Sequence, residues 1–136
     1  MIDVYEKKPV VYTAFSKHFF FAKMQISAFV LDQERIPLNP FTNWGYFMDD
    51  MVDRKKVMRG NSNLIHLADE IWTFGPIADG VFDEVKLANV QQKKVRYFTV
   101  GKKITDISEI SNTELVFEDE LLGKFNKEEI HKEFGL

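Results

Sequence analysis

A chain of 136 residues suits one domain built around one core, and two separate cores are improbable at this length. A formal charge of −3 gives no positive field to collect a polyanion, so long nucleic acid is a poor partner while a mononucleotide stays possible. The absence of cysteine removes disulfides, thiolate metal sites and cysteine nucleophiles; three scattered His residues make no metal-ligand pattern, and no apolar run nears the ~18 residues of a membrane span.

Residues 1–8 mix acidic and basic types without the basic-then-apolar order of a signal peptide, so cytoplasmic residence is expected. Residues 9–15 (PVVYTAF) then read as a strand buried on both faces, the first and central one. Ser16 offers a hydroxyl cap to a helix over residues 17–35, where Phe19, Ala22, Ile26 and Phe29 or Val30 recur at helical spacing. Residues 36–38 form a short second strand, and Asn39-Pro40 opens a loop that carries Phe41, Trp44 and Tyr46. Residues 46–68 are helical, with two helices expected because Gly60 weakens a helix interior.

Residues 69–75 (DEIWTFG) read as the third strand, residues 80–92 as a helix and residues 94–100 (KVRYFTV) as the fourth strand. Residues 113–117 suit an edge strand and residues 127–134 a short charged helix. Strands alternating with helices predict a parallel sheet of four to five strands with helices on both faces, a single-domain α/β architecture of the flavodoxin-like or Rossmann-like class.

Such a sheet binds ligands outside the carboxyl ends of its strands, which selects residues 13–18, 39–46 and 75–84. The first of these (AFSKHFF) lacks the glycines of a dinucleotide fingerprint or a P-loop, so no NAD, ATP or other cofactor is expected. Ser16, Lys17 and the amides that follow could hold one small anion, or could be a simple helix cap beside an exposed lysine. In the third loop, Asp79, Asp83 and Glu84 gather three carboxylates around Gly80 at a helix start. One reading is compensation of the helix dipole with Asp79 as N-cap; the other is a glutamate kept ionised as a nucleophile.

The segments VVYTAFS, LADEIWTFGPIADGVFDEVKLA and KKVRYFTV resemble the nucleoside 2-deoxyribosyltransferase superfamily, which includes the deoxynucleoside 5′-monophosphate N-glycosidases. The likeness rests on Val11 and Tyr12, on Ala68 and Asp69, on Gly80 four residues before Glu84, and on Ala88, and it spans residues 9–100. It implies that Glu84 attacks the anomeric carbon of a 2-deoxyribosyl group and expels the base, with Tyr12 orienting the carboxylate; a plain core tyrosine is the other reading of Tyr12. Two positions depart from the family pattern: Asn61 and Ala78 stand where carboxylates are usual, so either a shifted loop lets Asp79 serve or the protonation step differs, with Asn63 or an acid from a partner subunit as further contributors.

The basic run Arg54, Lys55, Lys56 and Arg59 reads as a solvated helix face, with a contact to a 5′-phosphate or to an acidic neighbour subunit as the alternative. Trp44, Phe41 and Tyr46 would either pack or stack on a nucleobase, while His66 reads as a packed helix residue. The resemblance further implies a homo-oligomer, a dimer or larger, acting on a small-molecule nucleoside or nucleotide. The function expected is cleavage or transfer at the N-glycosidic bond, and the alternative is a non-catalytic nucleotide-binding module that uses the same cleft.

Overall fold

A computed structural model of the chain describes residues 6–136, so part of the N-terminal segment read for a signal sequence lies outside the described residues. A five-stranded sheet in the order β2-β1-β3-β4-β5 divides the molecule. The strands are β1 (Val10–Phe15), β2 (Ile36–Leu38), β3 (Glu70–Phe74), β4 (Lys94–Phe98) and β5 (Glu109–Ile110). The first four run parallel and β5 pairs antiparallel with β4, which gives the α/β class expected from the alternation of apolar runs. β1 lies between β2 and β3 with Tyr12 in register with Leu38 and Ile71, so the chain leaves it on opposite sides and a crevice opens at that switch point.

Alternation along the strands sends Tyr12, Ala14 and Ile71 to one face and Val11, Phe15, Trp72 and Phe74 to the other. The second face is covered by α1 (Lys23–Asp32), which buries Ile26 and Val30 there. The first face lies under α3 (Arg54–Leu67), α4 (Asp79–Val90) and the C-terminal helices α5 (Asp119–Leu122) and α6 (Lys127–Glu133), which add Ile65, Phe82, Leu121 and Ile130. Lys93 ties this face together by donating to the carbonyls of His66 and Ala68 at the end of α3.

Several local expectations give way. Ser16 caps a 3-10 turn over Lys17–Ala22, broken at Phe19, so the α-helix proper starts only at Lys23. Residues 39–46 are not a plain loop, because Pro40–Trp44 forms the short helix α2. Asn39 caps it by accepting from Phe41 and Thr42 N–H, while its amide donates to the Lys23 carbonyl and Ser27 hydroxyl at 3.0 Å each.

α3 is unbroken across Gly60. A Cβ there would stand 3.1 Å from the Trp44 ring, so the glycine admits the indole and does not end the helix. The edge strand is Glu109–Ile110 and not residues 113–117, of which only Phe117 makes a single parallel bridge, to Ile77. A bidentate pair from Arg96 to Glu109, at 2.7 and 2.9 Å, fixes β5 against β4. His66 is exposed on the last turn of α3 and is not packed. Gly75 ends β3 at φ +79°, where a Cβ would fall 2.6 Å from Val100. Among the described residues no helix is long and apolar enough to cross a membrane.

Candidate active site

A cavity of about 430 Å³ opens at the carboxyl ends of β1 and β3 and draws residues from all three loops singled out in the sequence. Phe15, Phe41, Trp44 and Phe47 supply aromatic lining, and Asn61, Asp79 and Glu84 supply polar groups. A smaller recess of about 210 Å³ between α3 and α4 shares Asn61, Gly80 and Glu84 with it. The backbone of Phe47, Met48, Asp49 and Asp50 winds left-handed, with φ between 51 and 57°, and this turn delivers Phe47 to the cavity.

Glu84 hangs from the second turn of α4 over the sheet and accepts a hydrogen bond from the Tyr12 hydroxyl. Tyr12 is fully buried in the centre of β1, so the tyrosine fixes the carboxyl from below while Glu84 keeps partial exposure where it lines the cavities. Burial, and then the charge of Glu84, hold the Tyr12 hydroxyl protonated well above the ordinary phenol range.

The helix N-terminus does not keep Glu84 ionised, contrary to one of the two readings of the sequence. Enclosure by protein pushes its carboxyl up to about 8, with the Asp83 charge adding to the push and the Tyr12 hydrogen bond opposing it. As the sixth residue of α4, Glu84 lies beyond the first turn, where the free amides and the dipole act.

Asp79 is the first residue of α4 and not its N-cap, a place taken by Ala78 without a side-chain bond. One oxygen of Asp79 accepts from Gly80 N–H at 2.9 Å and the other pairs with Lys124. The Lys124 hydrogen bond, helped by that amide, holds the Asp79 carboxyl below the usual range, so it is a carboxylate and not an acid at neutral pH. Gly80 itself faces open space.

Asn61 lines the cavity and accepts from the Trp44 indole N–H at 2.9 Å. That bond fixes the amide so that its NH2 is the group left to offer a ligand. Ser16 also reaches the cavity, but its oxygen already accepts from His18 N–H at 3.2 Å.

Asn63 does not take part: it is exposed and donates to the Arg59 carbonyl at 2.8 Å on the outer side of α3. None of Arg54, Lys55, Lys56 and Arg59 lines either cavity, and Arg54 pairs with Asp50 at 2.8 Å, so the phosphate-contact alternative for this run has no geometry behind it. The rim groups Glu118, Glu120 and Lys124 were missed in the sequence. They arrive from an irregular tail whose pairing of Ile77 N–H with Val116 O and of Glu118 N–H with Ile77 O carries no sequence signature.

A family model described as "Domain of unknown function (DUF7768)" matches residues 14–98. The chain belongs to that family. The matched stretch runs from the end of β1 to the end of β4 and contains every cavity residue except the three from the tail. No curated protein matches the sequence. Among solved structures, a 2-deoxyribosyltransferase from the psychrotolerant bacterium Bacillus psychrosaccharolyticus superposes with a TM-score of 0.54 over 89% of this chain and 95% of that one, at 18% identity. At that identity the likeness establishes the shared fold, in agreement with the resemblance noted from the sequence.

Proposed function

We propose that the protein breaks or exchanges the N-glycosidic bond of a small-molecule (deoxy)nucleoside or its 5′-monophosphate, with Glu84 as nucleophile. The observation that carries this reading is the Tyr12 hydroxyl bonded to Glu84 at the floor of an aromatic-walled cavity. A base stacks on the wall formed by Phe41 and Trp44, and the sugar lies over Glu84. The Glu84 carboxylate attacks the anomeric carbon as the bond to the base breaks, leaving a glycosyl ester on Glu84 and a free base that takes its proton from solvent at the open mouth. Water or a second base then attacks the same carbon and returns the carboxylate, the double displacement of a retaining glycosidase. Tyr12 is a positioning residue that lowers the Glu84 carboxyl against the push of burial.

Homo-oligomeric assembly, which the sequence resemblance implies, belongs to this proposal too. The experiment is chromatographic detection of base release from deoxynucleosides and their 5′-monophosphates, each with and without a second base. Release that falls about a thousandfold or more in Glu84→Gln supports the reading; release that survives in Glu84→Gln overturns it.

A second reading, a nucleotide-binding module without catalysis, is favoured by two observations. Asn61 is bound to Trp44 and Asp79 to Lys124, so neither serves as a proton donor to a leaving base. Ligand binding with no release across the whole panel would select it.

A further inference from the structure

We infer that His18, Glu118 and Glu120 bind one divalent cation of the Zn2+ type at the mouth of the cavity. The sequence separates His18 from the two glutamates by a hundred positions, which is why the three His residues looked isolated. The fold closes that gap: a nitrogen of His18 and one oxygen from each carboxylate all lie within 4.8 Å of one another. His18 Nε2 stands 3.7 Å from Glu120 and 4.0 Å from Glu118. Ligands around one Zn2+, at bond lengths of about 2.0 to 2.2 Å, sit about 3 to 3.5 Å apart, so closing the separations by a few tenths of an ångström to about 1.5 Å brings the three onto one ion. His18 and Glu120 are half exposed and free to make it.

The support beneath these side chains is firm on the third member. Glu118 keeps only 15% side-chain exposure, and its amide donates to the Ile77 carbonyl at 3.0 Å, immediately before the Ala78 and Asp79 wall of the cavity. His18 is set by the Ser16-capped turn that leaves β1.

Charge at the rim points the same way. Five carboxyl-bearing residues and two lysines line the cavity, and Lys124 is engaged by Asp79. The rim is therefore rich in negative charge, and the Glu118 and Glu120 carboxylates gather there beside the His18 imidazole.

One imidazole and two carboxylates suit a borderline first-row cation and disfavour Mg2+, which prefers all-oxygen shells and retains its water. Three protein ligands would leave a fourth position open, and both glutamates line the cavity, so that position is available to water or to an oxygen of whatever the cavity holds.

Calorimetric titration of Zn2+ into the full, chelator-treated chain tests the site without reference to any activity. One saturable Zn2+ per chain is expected, weakened at least about tenfold in each of His18→Ala, Glu118→Gln and Glu120→Gln and unchanged in His131→Ala, with Mg2+ unable to compete. Unfolding midpoints measured without metal separate ligand loss from misfolding, and His18→Ala and Glu120→Gln remove exposed groups. Absence of saturable binding, equal binding in His18→Ala, or effective competition by Mg2+ would each overturn the site.

Discussion

The two faces of the sheet solve the same packing problem in opposite ways. On the face under α1, Phe29 meets Trp72, Phe74 and Phe98 edge-on at 5.4 to 6.3 Å, and Arg96 stands over Trp72 at 4.6 Å, so α1, with Ala22 and Ile107 beside it, seals that side. On the opposite face several helices are used, yet a tyrosine and a glutamate enter the core and a cavity remains at the strand ends. One face is thus closed by packed aromatic rings, while on the other two polar groups are held by one another beneath the cavity.

The largest expected effect separates the faces cleanly. Trp72→Ala should cost about 3 to 5 kcal/mol in denaturant unfolding while leaving base release per folded molecule unchanged. A parallel fall in activity would show that the sealed face supports the site directly.

Glu84→Gln tests the opposite face and should stabilise the chain in a pH-dependent way. The folded carboxyl sits near 8 against an ordinary value of 4.5, so the folded state holds its proton more tightly than the unfolded one. The stability this group contributes is complete below about 4.5 and is lost as pH rises through about 8, which the amide avoids. The variant's advantage in unfolding free energy should widen from pH 5 to pH 8 by on the order of a few kcal/mol; a gap that does not change with pH contradicts the assignment.

Tyr12→Phe comes next in size. It removes the hydrogen bond that pulls the Glu84 carboxyl down, so the midpoint of the pH–rate profile should move above about 8 and the rate at neutral pH should fall about tenfold. An unmoved midpoint would make Tyr12 a packing residue only.

The smallest effect is Gly60→Ala, where a helix gain of about 1 kcal/mol is set against a Cβ 3.1 Å from the Trp44 ring. Stability should change by less than about 1 kcal/mol while tryptophan fluorescence reports a displaced indole.

The fold was legible because short, nearly continuous apolar strands such as residues 10–15 and 70–74 have no other home than a covered parallel sheet. The frame of the candidate site was legible for a related reason: Tyr12 lies within one such strand and Glu84 in the second turn of the helix after another. Asn39-Pro40 carried a helix-start signal, an Asx cap followed by proline at the first position, that reads equally well as a turn. Gly60 misleads because the reason for it, the Trp44 indole, lies sixteen positions away. The protonation of Glu84 was out of reach, since desolvation depends on what surrounds a side chain and not on its neighbours in sequence.

β2 is three residues long, and the proline at its centre determines what can be added beyond it. Ile36 N–H donates inward to the Pro9 carbonyl at 2.9 Å, so by alternation the main chain of Pro37 is the part that faces away from β1. A proline nitrogen has no hydrogen to donate, and the opposite border, β5, has only two residues. Both described borders are therefore poor templates for a further strand, which disfavours a continuous sheet running from one copy to the next.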